Sequence, residues 1–242
     1  MTTEFAQLGL ILQLEQTLSD LGYITPTPIQ SEIIPLMLDG HDVIGQAQTG
    51  TGKTAAFILP ILQTLERGHC GIQALVLTPT RELAMQVAKA ADEYGKRLNV
   101  RVLAVYGGQP YNLQINRLRH GVDIVVGTPG RLLDLINKGE LDLSCVRTVV
   151  LDEADEMLNM GFIEDIEEIL STLPSERQAA LFSATIPPEL GSIANKYMHS
   201  PKSITIKSKH LTVDAIEHQY YLVNKEDKLA VLTRLFEIED IT

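Results

Sequence analysis

Eight consecutive residues, Ala47-Gln48-Thr49-Gly50-Thr51-Gly52-Lys53-Thr54, set glycines, a lysine and a hydroxyl between a short apolar run and a longer one. Glycines let the backbone turn its N–H groups around an anion, and a helix that follows adds the positive end of its dipole. A lysine closing such a loop reaches the outer phosphates of a nucleotide, and the next hydroxyl is a ligand for Mg²⁺. The stretch therefore reads as a phosphate loop, with Gln48, Thr49, Gly50, Thr51, Gly52, Lys53 and Thr54 around a triphosphate. Ala47 stands where the usual pattern has glycine, one methyl group away from the strict form. A glycine-rich surface turn is the plain alternative; an expected strand before and helix after weigh against it.

A second chemical feature follows the apolar run Val149-Val150-Leu151, which leads directly into Asp152-Glu153-Ala154-Asp155. A carboxylate at the tip of a buried strand is well placed to supply another contact to Mg²⁺ beside a phosphate loop. Asp152 is expected to hold the ion, through water, and Glu153 to orient or deprotonate an attacking water. With Lys53 these are the candidate catalytic residues, and Thr54 and Asp152 the candidate metal ligands. Acids also favour the first turn of a helix. That accounts for Asp155 and Glu156 without any chemistry, and less well for two carboxylates directly behind an apolar strand.

The tetrad Asp152-Glu153-Ala154-Asp155 is the signature of the DEAD-box RNA helicases, and the chain from Phe5 to about Lys207 resembles their first RecA-like domain, with each expected segment in order. Upstream, Phe5 and Gly22-Tyr23-Ile24-Thr25-Pro26-Thr27-Pro28-Ile29-Gln30 resemble the family's adenine-recognition segment. A glutamine amide donates and accepts at once, matching N6 and N7 of adenine. The resemblance thus makes Gln30 the base reader, Tyr23 a stacking ring with Phe5 behind it, and Thr25 part of the same segment. It implies ATP rather than GTP. Pro79-Thr80-Arg81-Glu82-Leu83-Ala84, Gly107-Gly108 and Thr128-Pro129-Gly130-Arg131 resemble the family's RNA-contact segments, with Pro79, Thr80 and Arg81 as the contacts of the first. Each offers N–H groups, a hydroxyl or an arginine to phosphates without reading sequence. In isolation each is an ordinary turn with a helix cap. Ser183-Ala184-Thr185 resembles the coupling segment, whose hydroxyls would bond the Asp155 carboxylate. The Gly161-Phe162 segment resembles bacterial helicases of the cold-shock and ribosome-assembly type.

Positioning these groups falls to short strands alternating with longer helices. Strands are expected at Asp42–Gly45, Ala74–Leu77, Val100–Val105, Asp123–Val126, Thr148–Leu151, Ala179–Phe182 and Ser203–Ile206, several of them near-continuous Val, Ile and Leu. Helices are expected at Ala55–Glu66, Glu82–Lys96, Asn112–His120 and Glu164–Thr172. Such alternation predicts an α/β fold, a doubly wound, mostly parallel sheet with helices on both faces. Ligands of such sheets bind beyond the carboxyl ends of the strands, and every segment above falls at one. Residues 1–207 are expected to form this domain and 208–216 a linker. Residues 217–242 are expected to open a second RecA-like domain, with a strand at Glu217–Val223 and a helix at Asp227–Glu237.

Composition sets the outer bounds. The chain has 242 residues, 45% of them hydrophobic, and a net charge of −11. That acidity argues against binding nucleic acid by bulk charge. Locally, though, residues 79–131 hold eight Lys/Arg against four Asp/Glu, while residues 152–176 hold nine Asp/Glu and no Lys or Arg. No apolar run is long enough to span a membrane and no signal peptide is evident. Cys70 and Cys145, isolated and expected in the core, fit a reducing cytoplasm. The resemblance implies ATP and Mg²⁺ as cofactors and RNA, held by its backbone, as partner. It also implies a second RecA-like domain in cis that brings an arginine finger worth about 10³–10⁵ in turnover. Residues 1–242 alone are therefore expected to bind adenine nucleotide and barely hydrolyse it. A P-loop ATPase acting on DNA, and a non-catalytic ATP- and RNA-binding module, are the alternatives; the adenine segment opposes the first and the complete catalytic set the second.

Overall fold

Seven strands, β1 (Val43–Gln46), β2 (Ala74–Leu77), β3 (Val102–Val105), β4 (Ile124–Gly127), β5 (Thr148–Leu151), β6 (Gln178–Ser183) and β7 (Lys202–Thr205), pair in parallel in the order β3-β4-β2-β5-β6-β1-β7. The computed structural model describes residues 4–66, 68, 71–206 and 220–238. The chain divides into two units, Met1–Lys207 and Ser208–Thr242.

The strands alternate their side chains between two apolar clusters. Val76, Val150, Ala180 and Phe182 join one, while Leu75, Leu77, Val149, Leu151 and Leu181 join the other. A sheet buried on both faces leaves no room for a polar alternation, which is why these strands read as unbroken Val/Ile/Leu. The first cluster is covered by α1 (Leu12–Asp20), α2 (Pro28–Leu38), α3 (Lys53–Thr64) and α4 (Arg81–Tyr94). Beyond them come α5 (Tyr111–Arg119), α6 (Pro129–Asn137), α7 (Ala154–Asn159), α8 (Ile163–Thr172) and α9 (Pro188–Tyr197), from which Leu132, Leu135, Met157, Ile166, Ile169, Leu190 and Ile193 enter the second cluster. Phe57 and Phe182, both fully buried, meet at 5.1 Å between ring centroids. Burying each is worth about 1.5–3 kcal/mol. Gly45 permits that packing: a Cβ there would come within 2.7 Å of the Phe182 ring.

The expected doubly wound α/β architecture is present, and the sheet is parallel throughout. Strand and helix ends differ from the sequence expectation by one or two residues. Val100 and Arg101 precede β3, where Arg101 is held instead by Asp123. Cys145 is half-buried rather than buried, and Cys70 lies outside the described residues. In the second unit, α10 (Lys228–Ile238) matches the expected helix. The expected strand Glu217–Val223 does not appear where it is described, since residues 220–223 are irregular. Its other residues, and the linker 208–216, lie outside the described residues.

The six strand ends that carry the candidate segments all open on one rim. β3, β4 and β2 lie side by side, leading to residues 107–108, 128–131 and 79–81. β5 and β1 lead to the acidic tetrad and the phosphate loop. β6, which ends at Ser183 and leads to Thr185, runs between them.

Candidate functional site

The phosphate loop turns between β1 and α3 on two glycines in the left-handed region, Gly50 (φ +82°) and Gly52 (φ +92°), and Lys53 is the first helical residue. Lys53 is buried, and its ammonium donates to the carbonyl of Ala47 at 3.0 Å, closing the loop on itself. The Thr51 hydroxyl donates to the Gln48 carbonyl at 2.8 Å, another internal brace. The Thr49 hydroxyl donates to Glu153 Oε1 at 3.3 Å. The loop and the acidic strand end therefore meet directly.

Asp152 follows β5, is 2% exposed, and accepts from the backbone N–H of Glu153 at 3.1 Å. Burial pushes its carboxyl up to about 7; the Lys53 ammonium works against that shift and the Glu153 carboxylate adds to it. A carboxylate so placed is held ionised by a cation. Glu153 adopts a left-handed backbone (φ 51°, ψ 50°) as it enters α7, a conformation uncommon outside glycine. One consequence is testable in metal-free, nucleotide-free protein. A folded-state pKa above the unfolded one means that stability falls as pH rises from about 4 to about 7. Asp152→Asn is therefore expected to raise Tm by several degrees at pH 8. The gain should fade below about pH 4 in thermal melts; an unchanged Tm at pH 8 would contradict it.

Both groups line one cavity of about 380 Å³, with Tyr23, Gln30, Thr49, Gly50, Gly52, Lys53, Thr54, Asp152 and Glu153 on its wall. On the same wall, Gln30 is buried on α2. Its Oε1 accepts from Thr27 N at 2.9 Å and its Nε2 donates to Gly52 O at 3.1 Å. One N–H and one lone pair of the amide are left over, the pair that an adenine edge requires. Phe5 is fully buried in the apolar cluster, and Thr25 is exposed; neither lines the cavity, nor do Gln48 and Thr51. Among the described residues no cluster of three His, Cys, Asp or Glu side chains stands ready for a metal. A Mg²⁺ ion takes one or two carboxylates plus substrate phosphates, and Thr54 with Asp152 suits that donor set. A larger groove, about 680 Å³, runs along β3 and α5 without any of this chemistry.

Three wall residues lie outside every site segment singled out from sequence: Ala55 on α3, and Gln86 and Tyr94 on α4. Leu83, also on the wall, comes from the segment read as an RNA contact; with Gln86 and Tyr94, spaced by three and then eight residues, it shares one face of α4.

On the neighbouring half of the rim, Thr80 caps α4 by accepting from Leu83 N at 3.2 Å. Arg81 is exposed, and a Cβ on Gly108 would lie 3.9 Å from its Nη1. Residues 79–81 and 107–108 thus converge. Pro129 starts α6 behind Thr128, with Gly130 exposed. Arg131 is committed inward: Nη1 donates to Gln109 O at 3.1 Å and Gln114 Oε1 at 3.0 Å, and the guanidinium covers the Tyr111 ring. Within the nucleotide half, Asp155 accepts from both the N–H and the hydroxyl of Thr185 at 2.9 Å, and its own N–H donates to Ser183 Oγ at 3.2 Å. Although burial alone would raise it, these bonds hold the Asp155 carboxyl below its ordinary value.

Residues 27–193 match the family model described as DEAD/DEAH box helicase. The chain belongs to that family. The matched segment holds the phosphate loop, the acidic tetrad and the Ser183–Thr185 segment of this DEAD-box chain; Phe5, Tyr23 and Thr25 precede it. The DEAD-box ATP-dependent RNA helicase CshA of Geobacillus kaustophilus is 50% identical over 237 residues, 98% of this chain and 51% of that protein. ATP-dependent RNA helicase CshA of Listeria monocytogenes is 49% identical, covering 98% of this chain and 46% of the relative. The chain spans about half the length of the curated relatives it matches. Among solved structures, a DEAD box protein from the hyperthermophile Methanococcus jannaschii superposes with a TM-score of 0.82 at 41% identity, covering 96% of this chain and 63% of that one. A hypothetical ATP-dependent RNA helicase from Sulfolobus tokodaii gives 0.75 at 47% identity, covering 80% and 56%.

Proposed function

We propose that this chain is the nucleotide-binding RecA-like half of a cytoplasmic ATP-dependent RNA helicase of the cold-shock type. The observation that carries the reading is the single cavity shared by Gln30, Lys53, Thr54, Asp152 and Glu153. Gln30 bonds the adenine edge and Tyr23 contacts the ring. The loop N–H groups of residues 48–53 and the Lys53 ammonium hold the phosphates, for which Lys53 exchanges its bond to Ala47 O. Thr54 and Asp152 would hold Mg²⁺, which supplies positive charge beside the outer phosphates. Glu153 orients the attacking water and takes its proton, the Thr49 hydroxyl fixing one carboxylate oxygen in the resting state. Exposed Thr80, Arg81, Gly107, Gly108 and Gly130, with half-buried Thr128, contact RNA phosphates along the other half of the rim, without reading sequence. A second RecA-like domain in cis completes both sites, so hydrolysis and duplex opening belong to the two domains together. Asp155, bonded to Thr185 and Ser183, ties the acidic strand end to β6 and would carry the state of the nucleotide toward the RNA side.

Two measurements test this. Calorimetry on residues 1–242 is expected to give ADP an affinity at least about tenfold above GDP, the value of two well-made hydrogen bonds. Equal affinities would remove the adenine reading. At the full length of its relatives, ATP turnover should rise with RNA and much less with DNA of the same sequence; equal stimulation would favour a DNA-directed ATPase.

A further inference from the structure

Tyr94, the last residue of α4, reaches the cavity wall although none of the roles above involves it. It is 6% exposed, and its helix is anchored in the core by the buried Ala84, Val87 and Ala91. Tyr23 is placed differently. It is 37% exposed and sits in a turn whose residues 21–25 are all exposed. Its backbone N–H donates to Leu18 O at 2.9 Å, which fixes the main chain and leaves the ring to be held by something else. Tyr94 supplies that contact: the rings meet edge to face, 5.9 Å between centroids and 86° between planes, and the hydroxyls are 3.2 Å apart. An edge-to-face pair joined by a hydrogen bond confines the exposed ring to one orientation.

We propose that Tyr94 is a positioning residue that holds the Tyr23 ring in the orientation it needs to contact the adenine base. The inference rests on the reading of Tyr23 as an adenine contact. A ring already fixed in its bound orientation loses less freedom when the base arrives, and that difference appears as affinity. Burial pushes the Tyr94 hydroxyl well above the ordinary phenol range, with the bond to Tyr23 adding to the shift. The Tyr94 hydroxyl therefore stays neutral at any working pH.

The test uses residues 1–242 with Mg²⁺ and two probes: ADP, and inorganic tripolyphosphate, which has no base. Tyr94→Phe removes only the hydroxyl bond and is expected to weaken ADP about threefold; Tyr94→Leu also removes the ring, for about tenfold. Tripolyphosphate should change by less than about twofold in either variant, since it has no base for the Tyr23 ring to contact. The Tyr23→Ala/Tyr94→Leu double variant should bind ADP no more weakly than Tyr23→Ala, because Tyr94 acts only through Tyr23. Tyr94→Phe keeps the core filled, so parental ADP affinity in that variant overturns the proposal. So does an equal loss for both probes, which would mark a merely structural residue. If Tyr23→Ala weakens ADP while both Tyr94 variants do not, the adenine contact stands and only Tyr94's part falls. If Tyr23→Ala itself leaves ADP affinity unchanged, the adenine contact falls as well.

Discussion

Replacing Glu153 by glutamine, in the protein at the full length of its relatives, is expected to cut ATP turnover about 10²–10⁴-fold while leaving ATP and RNA binding within about threefold of the parent. The two residues have the same shape, and glutamine carries the left-handed backbone (φ 51°) as readily as glutamate does. An amide oxygen still accepts from the Thr49 hydroxyl, so the meeting of loop and strand end survives. What is lost is the ability to take a proton from water. Lys53, Thr54 and Gln30, to which the proposed reading assigns binding, are untouched. Loss of one negative charge also relieves Asp152, whose carboxyl is pushed up first by burial and further by the Glu153 carboxylate. Cation binding should accordingly not weaken. Single-turnover hydrolysis beside equilibrium binding separates the two quantities. If Glu153→Gln abolishes nucleotide binding together with turnover, the division of labour between Glu153 and Lys53 is wrong.

The chemistry of this chain is legible in sequence to the extent that it is local. The phosphate loop, the acidic tetrad and the strands before them each occupy fewer than a dozen residues, and their residue types alone dictate a turn, an anion cradle or a buried strand. All seven strands of the first unit are therefore readable to within two residues. Helix starts were harder where a start resembles a stop. Pro129-Gly130 looks like a turn, yet proline at the first helical position is a start signal and α6 begins there. The six-residue α7 is too short for a period to emerge. Strand order could not be read at all. β2 leaves the nucleotide half of the rim, and β3 and β4 are laid outside it, by crossovers whose course depends on helix packing rather than on any local pattern. The same limit explains why the bonds that Arg131 makes could not be read from sequence. Its partners are Gln109 from the β3–α5 connection and Tyr111 and Gln114 from α5, and only the assembled sheet sets them beside it. Leu83, Gln86 and Tyr94 show a regular helical face, but the sequence does not say that this face looks onto the cavity.

Gly52 offers the sharpest test of how the two ends of that cavity are joined. Its φ of +92° costs an L-residue about 1–2 kcal/mol. A Cβ there would also lie 2.5 Å from Gln30 Nε2 and 3.0 Å from Thr27 Oγ1. Since Gln30 Nε2 donates to Gly52 O, the methyl group of Gly52→Ala must displace the base reader as well as strain the phosphate loop. The empty loop can relax into another conformation; binding nucleotide then has to restore the strained one and rebuild the hydrogen bond. Backbone strain plus one bond of about 0.5–1.5 kcal/mol gives an expected loss of ADP affinity of about tenfold to 300-fold. Gly50 is the internal control, with a similar φ of +82° and nothing within 4 Å of the place a Cβ would take. Gly50→Ala should carry the strain without the displacement and lose less. Adding Gln30→Ala to Gly52→Ala should then cost less than Gln30→Ala does in the parent, because the amide has already been moved aside. Equal losses at Gly50 and Gly52, with Gln30→Ala fully additive to both, would mean that the adenine and phosphate ends bind independently, and that the Gln30–Gly52 bond is packing without a role in recognition.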